Sequence, residues 1–302
     1  MNYRSQNVLM FTLLLIAFIF LGFNSDKPIE NKEWKLVTSG LDFPEGPAWD
    51  GNKTLYASNC YGSWITRVTD GRFDTLKLES SSAIGKTNGL TFSKDGNIIA
   101  CDYGIGAILS ISPSGKVDTL IDGYKGVKLN RPNDLIIDKN GNLYFSDPKS
   151  YGKDKLDGRL FHYNFKTSKL TLLVDSLAFP NGINISPNGK LYLSESAKNQ
   201  ILSFDILDNG TVANKSVFVT LPNGDPDGLD FDSAGNLYAA HYGTGTLFII
   251  SPNGKILEEI KTPGKKPTNI EFGGDDLKTL YLTEVETNSI YKIRTNIKGY
   301  KN

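Results

Sequence analysis

The chain has 302 residues with 33 basic and 33 acidic side chains, so its formal net charge is zero, and no basic block or stripe interrupts that balance. Such a distribution argues against nucleic acid as a partner. Three hundred residues fit either one large all-β domain or two smaller ones, and the internal pattern has to decide between them.

The first 26 residues stand apart. Arg4 precedes an apolar run over 8–23, and polar Asn24-Ser25-Asp26-Lys27-Pro28 follows. The run is somewhat short for a relaxed membrane span and suits a signal h-region. It lacks a small-x-small cleavage site, so residues 1–26 are read as a signal peptide, with an uncleaved N-terminal membrane anchor as the alternative. No cysteine follows the run, which removes support for a lipid anchor. Both readings place the remainder outside the cytoplasm, periplasmic or extracellular. Export permits disulfides, and Cys60 and Cys101 fall near the ends of equivalent strands in adjacent repeats. A buried thiol in Ile99-Ala100-Cys101 is preferred to a bridge.

From 33 to 296 one unit recurs six times. Its copies begin at Glu45, Asn88, Asn133, Asn181, Asp227 and Thr268, in steps of 41 to 48 residues. The third copy shows the unit plainly. Asn133-Asp134 leads Leu135-Ile136-Ile137, Lys139-Asn140-Gly141-Asn142 turns the chain, and Leu143-Tyr144-Phe145-Ser146 returns. Strands over 158–163 and 170–174 complete it. A period of this size with four strands per copy predicts an all-β chain, a six-bladed β-propeller of four-stranded antiparallel blades. The sixth copy runs out after three strands, near 269–272, 280–283 and 289–293, while Trp34-Lys35-Leu36-Val37-Thr38 stands unassigned ahead of the first copy. The N-terminal strand is therefore expected to close the last blade.

In a propeller the six leads ring the mouth of the central channel. Five of them carry an amide or carboxylate oxygen. Turn chemistry accounts for Asn and Asp before glycine, but not for Glu45 in Phe43-Pro44-Glu45-Gly46-Pro47. Glu45 and Asp227 brought into one narrow channel would repel each other. A hard divalent cation relieves that repulsion, and carboxylate with amide oxygens is the donor set for calcium, with magnesium or manganese as alternatives. Few protein ligands leave water on such an ion, which points to catalysis. A second set, Asn59, Asp102, Asp147, Glu195, His241 and Glu284, is expected one step further out as solvated polar residues. Among them His241 is the one weighed for contact with a substrate. Loops 122–130 and 148–157 are expected to form the rim, with Tyr103, Tyr151 and Tyr242 lining the mouth.

These segments resemble the regucalcin/gluconolactonase family of six-bladed propellers. The matching stretches are Phe43-Pro44-Glu45-Gly46-Pro47-Ala48-Trp49, Arg131-Pro132-Asn133-Asp134, Phe179-Pro180-Asn181-Gly182-Ile183, Pro226-Asp227-Gly228-Leu229 and Pro267-Thr268-Asn269-Ile270-Glu271-Phe272-Gly273-Gly274. The resemblance implies a catalytic divalent metal, calcium foremost with zinc, magnesium or manganese as alternatives, held by Glu45, Asn181 and Asp227. It places Asn133 at the metal or on the substrate, Arg131 on a substrate oxygen, and Asp227 as general base. It also implies hydrolysis of a sugar-derived lactone, a small-molecule substrate. Phosphotriesters or aryl esters on the same site, or a non-catalytic exported binding propeller, are the alternative readings. One departure bears on substrate identity: Cys101-Asp102-Tyr103 stands where many members read Cys-Glu-His.

Overall fold

The computed structural model describes residues 27–80 and 82–301. The segment read as a signal peptide or anchor lies outside the described residues. Six four-stranded antiparallel sheets form the blades. Their innermost strands are Pro44–Trp49, Thr87–Phe92, Leu135–Ile137, Pro180–Ile185, Asp225–Phe231 and Pro267–Gly273, in blades 1 to 6. In blades 1 to 5 each is followed outward by the next three strands in chain order, a simple meander, and blade 6 follows the same order for its first three strands.

Blade 6 is completed by Lys35–Ser39, which pairs antiparallel with Ser289–Arg294. The expected closure by the N-terminal strand is what the chain adopts. Trp34 carries it further, donating its indole N–H to the Lys261 carbonyl of blade 5 at 2.8 Å. The two ends of the propeller thus share one ladder, and the ring opens only if that ladder breaks.

Alternation along the strands gives each blade two apolar faces, and each face is buried against a neighbour. The core accordingly lies between blades. Ala48 and Ile65 of blade 1 pack with Leu90 and Ala100 of blade 2, and Tyr144 and Leu160 of blade 3 pack with Ile183 and Leu193 of blade 4. Trp49 and Leu55 of blade 1 meet Ile290 of blade 6. Fully burying one such side chain contributes about 1.5–3 kcal/mol, so the inter-blade seams hold most of the stability. The turns between first and second strands are fixed by side chains. Asp50 Oδ1 accepts the backbone N–H groups of Asn52, Lys53 and Thr54 at 2.8–3.0 Å, and Asp138 and Asp232 each accept two such groups in blades 3 and 5.

Cys60 and Cys101 are both buried free thiols. Cys60 Sγ donates to the Thr87 carbonyl at 2.8 Å. The tail beyond blade 6 lies outside the repeat. Residues 298–301 fold back beneath the channel, where Tyr300 N–H donates to the Phe231 carbonyl at 2.8 Å and Lys301 pairs with Glu271.

Candidate active site at the channel mouth

The leads are aimed by backbone irregularity. In blade 1, Glu45 stands opposite Ser58 and Ala48 opposite Tyr56, which leaves one extra residue on the inner strand. The same one-residue bulge occurs at the lead of blades 2, 4, 5 and 6. A bulge unpairs a residue and re-aims its side chain, here toward the mouth. The residue after the lead must then let the next blade approach. A Cβ on Gly46 would lie 2.1 Å from the Asn88 carbonyl oxygen, and one on Gly182 would lie 2.0 Å from that of Asp227. Hydroxyls of the second strands fasten the same carbonyls: Ser58 Oγ donates to Asn88 O at 2.7 Å and Ser194 Oγ to Asp227 O at 2.8 Å. Just before two of the leads, Phe43 and Phe179 adopt φ of +57° and +55°, a left-handed conformation that is costly for a bulky side chain.

A pocket of about 270 Å³ opens on these leads. Asn88, Asn133, Asn181 and Asp227 face it, with Arg131, Tyr103, Tyr151, Tyr242, Phe43, Phe179, Pro148, Ser196 and Asp225 around them. The three tyrosines expected at the mouth are therefore there. Glu45 lies deeper, 4 % exposed, and Thr268 is also buried. Tyr151 hydrogen-bonds through its hydroxyl with both oxygens of Asp225, at 2.8 and 3.0 Å, tying the 148–157 loop across to blade 5.

The floor is acidic. Burial pushes the Glu45 carboxyl up to about 8, against the pull of the Gly46 N–H, and nearby Asp134 adds to the rise. Asp227 is raised well above the carboxylate range, first by burial and then by Glu45 and Asp134, with Asn181 beside it acting in the opposite direction. Asp134 is pushed up to about 6, again mainly by burial. None of these three carboxyls has an ion-pair partner among the described residues. Asp227 Oδ1 is buried with no hydrogen-bond partner at all. Leaving such an atom unsatisfied is costly, and a cation satisfies it. Among the described residues no three His, Cys, Asp or Glu side chains cluster as a metal site by themselves. A cation would rest on Glu45 and Asp227 together with the amide oxygens of Asn181 and Asn133. Those hard oxygen donors fit calcium or magnesium chemistry.

The second set is not solvated. Asn59, Asp102, Asp147 and Glu284 are fully buried, and Glu195 is nearly so. They accept backbone N–H groups of the loops that enter the inner strands and leave the second strands. Asp102 takes those of Gly85, Lys86 and Ile105 at 2.6–3.0 Å, and Glu284 takes Lys266, Glu286 and Thr287 at 2.7–3.1 Å. Asp147 holds the Arg131 N–H at 2.8 Å and pairs with Arg159 at 2.6 Å. Sequence position gave these residues no visible partner, because the donors are main-chain groups of distant loops. His241 belongs with them. It is fully buried, its Nδ1 lies 2.7 Å from Thr244 Oγ1, and burial lowers its pKa to about 4. It is not among the residues lining the pocket; its ring packs edge-on against Phe248, and its Nε2 is buried without a hydrogen-bond partner. Pocket residues that the repeat did not single out are Ser196, whose Oγ donates to the Pro226 carbonyl at 2.6 Å, together with Asp225, Phe43, Phe179 and Pro148. The two phenylalanines could have been flagged by their shared Phe-Pro position ahead of a lead.

Fold and site define a six-bladed propeller with an acidic, oxygen-lined pocket on its axis. The family described as SMP-30/Gluconolactonase/LRE-like region matches residues 43–286, and the chain belongs to that family. It is 30 % identical to a gluconolactonase from Zymomonas mobilis, over 88 % of this chain and 82 % of that protein. It is 26 % identical to the diisopropyl-fluorophosphatase of Loligo vulgaris, over 91 % of this chain and 96 % of that protein. A solved gluconolactonase structure from Xanthomonas campestris superposes with a TM-score of 0.77 at 27 % identity, covering 87 % of this chain and 89 % of its own.

Proposed function

We propose that this chain is a metal-dependent hydrolase that opens the ring of a sugar-derived lactone. One observation carries the reading: Asp227 Oδ1 is orphaned beside Glu45 beneath a pocket open to water. The likeness to gluconolactonases supports the substrate class. Glu45, Asn181 and Asp227 would hold the cation, with Asn133 on the cation or on the substrate. A divalent cation there would act as a Lewis acid on the ring carbonyl, lowering the cost of charge developing on its oxygen.

The side chains of this protein do the rest. Arg131 offers its guanidinium to a substrate oxygen, its backbone fixed by Asp147. Tyr103, Tyr151 and Tyr242 wall the ring. Asp227 takes a proton from the attacking water and returns it to the ring oxygen as the carbon–oxygen bond breaks, giving the hydroxy acid. Asp227→Asn should abolish lactone turnover with the fold intact, and undiminished turnover would sink the assignment.

A second reading is favoured by the Loligo vulgaris relative, whose name assigns it a fluorophosphate substrate. The same site would then act on phosphotriesters, and a parallel assay of lactones and organophosphates separates the two. Export remains part of the proposal, supported by the apolar run over 8–23. Mass spectrometry of the N-terminus in fractionated cells tests it, and an intact cytoplasmic chain would contradict it.

A further inference from the structure

The rim of the pocket is unlike on its two sides. On the side of blades 3 to 5 it is closed by Tyr151, which reaches Asp225 through its hydroxyl and packs edge-on against Phe179, ring centroids 5.4 Å apart. On the side of blades 1 and 2 it is cationic and aromatic. Lys86 Nζ lies 5.0 Å from the ring centroid of Tyr61 and 5.7 Å from that of Tyr103. Tyr61 packs in turn against pocket-lining Phe43, ring centroids 4.5 Å apart and tilted by 43°. The backbone beneath Lys86 is fixed at both ends. Its N–H donates to Asp102 Oδ1 at 2.9 Å, and its carbonyl accepts the Tyr103 N–H at 3.1 Å.

Neither Lys86 nor Arg131 enters an ion pair among the described residues, although both are exposed. Arg131 lines the pocket itself and is assigned to substrate oxygens there. Lys86 stands outside the pocket lining, beyond Tyr103, held against two aromatic faces. An ammonium kept in that position presents a positive charge to whatever leaves the pocket on its open side. On the opposite side the Tyr151–Asp225 contact puts a carboxylate at the rim, which disfavours an acidic substituent there.

We propose that Lys86 is a specificity-determining residue, selecting lactones whose exocyclic chain ends in an acidic group, a carboxylate or a phosphate, that passes Tyr103 to pair with its ammonium. The inference rests on the lactone-hydrolase reading and narrows its substrate class. Arg131 holds the ring end while Lys86 holds the far end, so discrimination comes from a difference in contacts to two otherwise similar rings. A partly exposed pair of this kind is screened by salt.

The test uses the full chain with its metal and two matched substrate pairs: D-glucono-1,4-lactone against D-glucaro-1,4-lactone, and D-glucono-1,5-lactone against its 6-phosphate. The expected result is a kcat/KM at least about tenfold higher for the acidic member of one pair, expressed in KM and shrinking as salt is raised. Which pair shows it decides between carboxylate and phosphate. Lys86→Met should cut that preference about tenfold, and Lys86→Arg should restore it. Equal kcat/KM within both pairs, or an unchanged preference in Lys86→Met, overturns the proposal. Calorimetric binding of the ring-opened acids glucarate, 6-phosphogluconate and gluconate needs no turnover. Glucarate or 6-phosphogluconate should bind wild type more tightly than gluconate does, and Lys86→Met should erase the difference. No difference in wild type overturns the proposal. A protein that binds the diacids through Lys86 yet opens no lactone would count against the hydrolase reading alone.

Discussion

Asp134 and Asn269 meet across the channel, Asn269 Nδ2 donating to Asp134 Oδ2 at 3.3 Å although 135 positions separate them. They occupy the place after the lead that Gly46, Gly89, Gly182 and Gly228 occupy in the other four blades. Blades 3 and 6 face each other in a six-bladed ring, and this pair of side chains spans the channel between them. Asp134 also accepts the Leu135 N–H at 2.9 Å, and Asn269 Oδ1 accepts the Ile270 N–H at 2.8 Å. Asn269→Ala removes a donor from a buried carboxylate. It should cost about 1–3 kcal/mol in urea unfolding, whereas Asn269→Asp should cost more by adding a fourth carboxyl to the floor.

The buried acids set a pH dependence for the metal-free protein. Glu45 ionises near pH 8 in the folded state, because burial above all opposes its charge, and at roughly 4.3 when unfolded. With its folded pKa raised, its contribution is full below the unfolded value and is lost as pH climbs toward and through 8. Asp227 and Asp134 shift in the same direction. After chelation, Tm should fall between about pH 5 and 8, and Glu45→Gln should flatten that fall. Metal affinity should rise over the same interval, since the ligands must lose their protons. Scanning calorimetry of stripped wild type and Glu45→Gln checks this, and a steeper decline in the variant would contradict it.

The close approach of blades 4 and 5 gives a steric prediction. A methyl at Gly182 would stand 2.0 Å from the Asp227 carbonyl oxygen, so Gly182→Ala should displace the Asp227 backbone and cost about 1–3 kcal/mol. Metal affinity should fall with it. Ser194→Ala removes only the hydroxyl on that same carbonyl and should cost about 1 kcal/mol, with a smaller loss of metal. Isothermal titration with calcium ranks the two.

Asp147 links the buried ring to the substrate pocket. It is fully buried, holds the Arg131 backbone, and pairs with Arg159. Asp147→Ala should destabilise by about 3–5 kcal/mol, the range for breaking a buried pair, and should raise KM more than it lowers kcat, because Arg131 loses its anchor. Arg159→Met, which spares the Arg131 contact, should cost stability with little change in KM.

The period near 45 residues was enough to read the six blades, the closing strand and the four oxygen-bearing leads that face one pocket. It was enough because a propeller repeats its backbone, and a repeat in backbone is a repeat in turn and core residues. The functions of the outer acids were not legible. Asp102 and Glu284 look like strand-end surface residues until the loops carrying Gly85 and Lys266 fold over them, and those loops share no pattern. His241 drew notice for its rarity, yet it occupies the same buried position as the acids in its blade. Asp134 was hidden by its neighbour Asn133, since nothing local says that the next side chain crosses the channel. The returning tail at 298–301 carries no strand pattern, and its contacts with Phe231 and Glu271 depend on the ring already being closed.

The most direct test is lactone hydrolysis by protein stripped with a chelator, measured before and after divalent cations are returned, with bound metal quantified alongside in wild type and Asp227→Asn. The account predicts that stripping lowers kcat/KM at least about a hundredfold, that calcium or another hard divalent cation restores it at one ion per chain, and that Asp227→Asn is not restored. Full lactone turnover by the stripped protein, or by Asp227→Asn, would contradict it.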